Sequence, residues 1–280
     1  MDRRRFLGRT MASVAGLTAS GTVLGACQLG REAWERNGSA LFDGPSRDLC
    51  RRQLIWSVPT AEPLAALTFD DGPDPELTPR VLAVLARYGV RATFNVMGYN
   101  AARHRDLMRA LVDGGHELGN HTWTHQDLAF QSPAATYRQL DRGLAAIEGT
   151  AGVRPRFFRP PRGEVTGAAL QAAARLGHDI LLWSVTRGPA GVSTPGMVAD
   201  HLAAAVAPGD VVGLHDGIGR GTFDRGGVQA RFLQARRQVE LAALPAAIEG
   251  ILARNLELVT ASALLDARTG RLGTADGCGR

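Results

Sequence analysis

Leu64-Ala65-Ala66-Leu67-Thr68-Phe69-Asp70-Asp71-Gly72-Pro73 is the stretch on which the reading of the chain turns. A short apolar run that ends in two carboxylates and a Gly-Pro turn reads as a buried β-strand with a polar step at its end. Beyond it, Val81, Leu82, Val84 and Leu85 stand at helical spacing in a segment over 77–88 that Gly89 closes. The same rhythm continues to the end of the domain. Further strands are predicted over 90–97, 116–119, 156–159, 180–183, 210–214 and 256–260. Further helices are predicted over 103–114, 133–149, 166–176, 195–206 and 229–254, the last interrupted at Pro245. About seven strands alternating with helices imply an α/β fold on a parallel sheet or barrel.

Parallel α/β folds place their chemistry at the carboxyl ends of the strands. The polar residues that follow each apolar run are therefore the candidate functional groups. They are Asp70 and Asp71 after the first run, and His121 and His125 near the third. Arg159 follows Phe157-Phe158, Trp183 ends the next run, and His215 follows Val211-Val212-Gly213-Leu214.

With strand geometry, Asp70 and Asp71 cannot both point into one cleft, and two buried carboxylates repel each other. A metal ion or a shared proton resolves this. His121-Thr122-Trp123-Thr124-His125, if helical, sets two imidazoles at i, i+4 on one face, within reach of one ion. One carboxylate and two imidazoles are the number of protein ligands a catalytic zinc takes, with water in the fourth position. Arg159-Pro160-Pro161-Arg162-Gly163 is stiffened by its prolines and offers a guanidinium that can grip a carboxylate. His215 is a candidate general acid. Gly213 inside a strand marks a close approach to the backbone. Taken alone, each feature reads as well as an acidic turn, surface histidines, a basic turn or a satisfied core histidine. Their convergence on successive strand ends carries the signal. His104, His116, His178 and His201 follow no such pattern and read as structural or exposed.

In order and together, these motifs resemble the polysaccharide deacetylases, the NodB-homology domain of carbohydrate esterase family 4. The similarity runs over about 63–265. Thr68-Phe69-Asp70-Asp71-Gly72-Pro73 matches the first family motif, 121–125 the second, 159–163 the third, and 211–216 the last. The resemblance implies a distorted (β/α) barrel of about seven parallel strands. It implies an enzyme that removes N- or O-acetyl groups from sugars, with Asp70 as base and His215 as acid. Asp71, His121 and His125 would hold one divalent metal, by default Zn2+, although other divalent ions fit such ligands. The ion would activate water and polarise the acetyl carbonyl. Arg159 would orient Asp70, and the backbone N–H of Arg162 would face the oxyanion. Pro161, Arg162, Gly163, Trp183, Gly213 and Leu214 are the expected substrate-binding residues.

Three residues depart from the family pattern. Arg162 stands where a Tyr or Phe is usual. Thr186 stands where an Asp usually follows the Trp, so support for Arg159 is expected to be weaker or to come from elsewhere. Gly213 replaces a Leu, so a roomier or differently lined pocket is expected, and alternation turns Leu214 to the other face. Two competing readings share these motifs: a glycan-binding lipoprotein with a degenerate site, and an acetylxylan-type O-acetyl esterase. Residues 219–241 look longer than the compact pattern. Their glycines and Arg220, Arg225, Arg231, Arg236 and Arg237 read as a basic loop over the cleft or as a solvated helix face.

The first 27 residues carry an address. Arg3-Arg4-Arg5-Phe6-Leu7 precedes a short small-residue run, which resembles a twin-arginine export signal over 1–26. Leu24-Gly25-Ala26-Cys27 resembles a lipobox, with Cys27 lipidated and the protein tethered to a membrane in the cell envelope. A tether and lead-in are expected over 27–62, the catalytic domain over 63–269, and a tail over 270–280. The net charge is +5, and all 32 cations are Arg. Arg3, Arg4, Arg5 and Arg9 against Asp2 account for three of those five charges, so nucleic-acid binding loses its main support. An acetylated polysaccharide is the expected partner, and the protein is expected to be a monomer. Cys50 and Cys278 either pair in an oxidising compartment or remain two thiols. The 45% hydrophobic content excludes a disordered chain, and no apolar run reaches the length of a membrane span.

Overall fold

The structure, a computed structural model, describes residues 52–189 and 193–268. The export signal, Cys27, the first part of the tether, the Cys50–Cys278 pairing and the 270–280 tail lie outside the described residues.

In chain order the elements are β1 (Leu54–Ile55), β2 (Leu64–Asp70), α1 (Thr78–Tyr88), β3 (Thr93–Val96), α2 (Gly98–Arg103) and α3 (Arg105–Asp113). There follow β4 (Glu117–Asn120), α4 (Pro133–Ala151), β5 (Phe157–Phe158), α5 (Gly167–Leu176), β6 (Asp179–Leu181) and β7 (Val185–Thr186). The last are α6 (Pro195–Ala205), β8 (Val211–His215), α7 (Val228–Leu252), β9 (Glu257–Val259) and α8 (Ala261–Asp266). The strands form one sheet in the order β1-β6-β5-β4-β3-β2-β8-β7, with β9 paired to the start of β2. Every strand pairing is parallel, so the carboxyl ends of the strands gather at one end of a distorted, open (β/α) barrel.

Alternation along β2 explains which face carries the site. Ala65, Leu67 and Phe69 join the main core with Val81 and Leu85 of α1, Leu111 of α3 and Leu244 of α7. Ala66 points the other way, into a second cluster with Phe157, Leu181, Val211 and Leu264. Thr68 and Asp70 share the parity of Ala66 and so face away from the helices that cover the main core. On β8, Val212 and Leu214 join the main core and Val211 the second cluster, which gives Gly213 and His215 the same face as Asp70. Asp70 lies level with Asn95 on β3 and with His215 on β8.

Several elements differ from the sequence expectation. Leu54–Ile55, inside the expected lead-in, pairs with β6, and Val58 is buried in the second cluster. The helix expected over 103–114 is α3, and an unexpected helix, α2, precedes it, the two separated at His104 with φ −125° and ψ 62°. Helix α7 runs unbroken through Pro245. Proline there removes one backbone hydrogen bond, but buried Leu241, Leu244, Ala247 and Ile248 on both sides of it keep the helix packed. Among the described residues, no helix is long and apolar enough to cross a membrane.

Candidate active site

Asp70 ends β2, and Asp71 is the first residue beyond it. Asp71 has φ 76°, a left-handed conformation that turns its side chain back toward the cleft. This is how two adjacent carboxylates reach one site. Both are buried, with 5% and 3% exposure. The turn is held from both sides: Asn100 Nδ2 donates to the Asp71 carbonyl at 2.9 Å, and the Asp216 N–H donates to the Asp70 carbonyl at 3.1 Å.

Arg159, at the end of β5, is wholly buried and uses its whole fork. Its Nη1 donates to Asp70 Oδ1 at 2.8 Å and to Thr68 Oγ1 at 2.6 Å. Its Nε and Nη2 donate to the Leu181 and Leu182 carbonyls at 2.9 and 2.7 Å. The support that Thr186 does not give thus comes from two backbone carbonyls and a threonine. Asn95 Nδ2 also donates to Asp70 Oδ1, at 2.8 Å. Burial pushes the Asp70 carboxyl up, but Arg159, with His121 and His215, more than offsets this and holds it below the usual carboxylate range.

His121 and His125 are not on a helix. They sit in a loop after β4 that takes left-handed backbone at Thr122 (φ 68°) and His125 (φ 53°). The loop is tied down by Asn120 Oδ1, which accepts from Thr122 N at 3.0 Å, and by Thr122 Oγ1, which accepts from His125 N at 3.0 Å. The i, i+4 spacing therefore brings the rings together by a turn instead, with centroids 5.0 Å apart. His121 Nδ1 lies 2.7 Å from the Arg159 carbonyl, an oxygen that only accepts, so Nδ1 carries hydrogen and Nε2 is left as the donor atom. Burial lowers His125 to about 4 and keeps it neutral.

These residues fit a metal. The ligand atoms of Asp71, His121 and His125 lie within 4.8 Å of one another. Asp71 Oδ1 is buried without a hydrogen-bond partner, and it faces His125 Nε2 at 3.3 Å and His121 Nε2 at 3.6 Å. A buried carboxylate oxygen left unsatisfied is costly, and a cation between the three groups would satisfy it. Burial pushes Asp71 up, but His125, His121 and Arg237 hold it well below the usual range.

A cavity of about 250 Å³ opens over these groups. Asp70, Asp71, His121, His125, Arg162, Trp183 and His215 line it, together with Arg220, Gln229, Leu233 and Arg237. Pro161, Gly163, Gly213 and Leu214 are not among the lining residues. Leu214 is 1% exposed in the main core. The space expected at Gly213 is taken by Trp183: a β-carbon there would lie 3.1 Å from the indole, so the glycine admits the tryptophan. Arg162 has φ 57° and pairs with Asp127 through Nε at 3.1 Å.

The segment over 219–241 is not one long loop, and four of its five arginines, Arg220, Arg225, Arg231 and Arg236, are exposed as a solvated face would have them. It forms a 3-10 turn, Gly219–Phe223, and then the start of α7. Arg225 pairs with buried Asp74. Arg237, expected to be solvated, is 6% exposed, and its Nη2 donates to Asp71 Oδ2 at 3.1 Å. Glu240, which sequence reading passed over, is 2% exposed and lies 3.0 Å from His215 Nδ1. The i, i+3 pair Arg237 and Glu240 was the available signal, but charged residues on a helix read first as solvated.

A profile of the family described as polysaccharide deacetylase matches residues 57–181. A peptidoglycan-N-acetylglucosamine deacetylase of Bacillus cereus is 36% identical over 166 residues, covering 59% of this chain and 78% of that protein. A chitooligosaccharide deacetylase of a Bradyrhizobium species is 40% identical over 154 residues, covering 54% of this chain and 69% of that protein. The crystal structure of a peptidoglycan N-acetylglucosamine deacetylase in complex with 4-naphthalen-1-yl-N-oxidanyl-benzamide superposes with a TM-score of 0.67 at 27% identity. It covers 79% of this chain and 96% of that one.

Proposed function

The chain belongs to the polysaccharide deacetylase family, and from that premise we propose that it hydrolyses N-acetyl groups of an N-acetylglucosamine polymer in the cell envelope. The observation that carries the reading is a metal-competent triad and an arginine-held carboxylate in one buried cleft. The names of the relatives favour the amide over an ester: they act on peptidoglycan and chitooligosaccharide.

Asp71, His121 and His125 would hold one divalent ion, zinc by default. When bound, the ion supplies polarisation of the acetyl carbonyl and a lowered pKa for water at the site. Asp70 takes the proton of the attacking water. Arg159 and Asn95 both hold its Oδ1, which leaves Oδ2 as the base. The backbone N–H of Arg162 donates to the oxygen that gains charge on the acetyl carbon. His215 protonates the sugar nitrogen as the carbon–nitrogen bond breaks. Acetate and a free amine leave, Asp70 returns its proton to solvent, and His215 takes one up again at Nε2. Trp183 walls the acetyl side of the cleft.

The proposal extends to place. Arg3-Arg4 and Cys27 support export and lipid anchoring. The full chain is expected to release acetate from chitooligosaccharides and peptidoglycan faster than from acetylxylan, and to stop in excess chelator. It is expected in the membrane fraction, with Cys27→Ser moving it to the soluble fraction. Chelator-resistant release, or release from acetylxylan alone, counts against the amide reading. A Cys27→Ser protein still in the membrane counts against the anchor.

A further inference from the structure

Helix α7 places a carboxylate behind the cleft, against His215. Glu240 is 2% exposed, and its Oε2 lies 3.0 Å from His215 Nδ1. Its Oε1 accepts from Arg237 Nη1 at 3.3 Å and lies 3.6 Å from Arg187 Nε. A buried carboxylate is sustained only by close charge partners, and here it has an imidazole and two guanidiniums. Burial pushes Glu240 up, but His215, Arg237 and Arg187 hold it below the usual glutamate range. It is therefore an anion.

An anionic carboxylate only accepts hydrogen bonds. His215 Nδ1 must then carry its hydrogen whether the ring is charged or neutral, and Nε2 is the atom that gains and loses the proton. His215 ends β8 level with Asp70 and lines the same cavity. Neutralising Arg237 alone would not require Glu240 to engage the ring. Its two oxygens are divided, one to the guanidiniums and one to the imidazole.

We infer that Glu240 is the positioning residue of the proton donor, fixing the tautomer and orientation of His215 so that Nε2 delivers the proton to the leaving nitrogen. This rests on the deacetylase reading above. It assigns a role to a helix that lies beyond the 57–181 stretch matched by the family profile.

The test compares two leaving groups in the metal-loaded full chain. A chitooligosaccharide loses an amine that must be protonated, whereas an aryl acetate loses a phenolate that needs no proton. Glu240→Gln is expected to lower kcat on the oligosaccharide about 100-fold, with KM changed by less than about threefold. The loss on the aryl acetate should be at least tenfold smaller. Glu240→Asp, which keeps the charge, should recover at least threefold of the lost amide activity. Equal losses on the two substrates would overturn the inference.

A second measurement needs no turnover. Nitrogen NMR of labelled histidine should find neutral His215 with hydrogen on Nδ1 in the native chain. Hydrogen on Nε2 instead would overturn the inference, whatever Glu240→Gln does to folding. A native chain that releases no acetate from any acetylated glycan would sink the deacetylase reading, while the tautomer still decides the pairing.

Discussion

Asp70 and Asp71 are neighbours in sequence with opposite proposed duties, and their surroundings separate them. Asp70 Oδ1 is taken by Arg159 and Asn95, whereas Asp71 Oδ2 is taken by Arg237 and its Oδ1 is turned to the imidazoles. Asn in place of Asp70 keeps an acceptor for Arg159 but has no basic oxygen. Asp70→Asn is therefore expected to lower kcat by about 1,000-fold or more, with about one metal ion per chain retained in elemental analysis. Residual turnover near the native rate would remove Asp70 from the base position. At this scale the sequence was informative, because strand-end polar residues are legible from the apolar runs that precede them. Left-handed backbone at Asp71, Thr122 and His125 was not legible, since none of the three is glycine and nothing local marks them.

Elements show where legibility ends and why. Strands β1 and β7 are two residues each, too short for alternation to register, and they exist because the neighbouring strands accept them. Helix α7 hides its inward charges, since Arg237 and Glu240 are buried only by pairing with residues of β8 and the Asp71 turn. His178, at the entry to β6, illustrates the reverse: its sequence context reads as structural or exposed, and it is fully buried outside the cleft. Its Nδ1 lies 3.0 Å from the Pro155 carbonyl. Burial pushes it down to about 4, with Arg154 and Arg52 adding to the effect. The unfolded imidazole, near 6.5, takes up a proton that the folded one refuses. The contribution of His178 is thus complete above about pH 6.5 and falls away as pH drops toward about 4, by a total of about 3 kcal/mol. Denaturant melts across that window should show a shallower acid slope for His178→Gln than for the native chain. An identical slope would show that His178 titrates normally in the fold.

On the scale of the whole molecule, the cleft is assembled from distant parts of the chain. Arg159 reaches Thr68 across 91 residues, Thr78 reaches Asp216 across 138, and Arg237 reaches Asp71 across 166. Ions that bind only the folded chain stabilise it in proportion to the logarithm of their excess, by about 4 kcal/mol at a thousandfold over Kd. Zinc at that excess should raise the unfolding midpoint by about 10 °C, and chelator should reverse it. A midpoint indifferent to metal would argue against the Asp71, His121 and His125 set.

The Asp71–Arg237 bond also has a temporal meaning. Asp71, His121 and His125, the proposed metal ligands, leave the ribosome more than a hundred residues before the arginine bonded to Asp71. A growing or clipped chain can thus display the ligands without the clasp, and tight metal capture becomes a timestamp for the docking of α7.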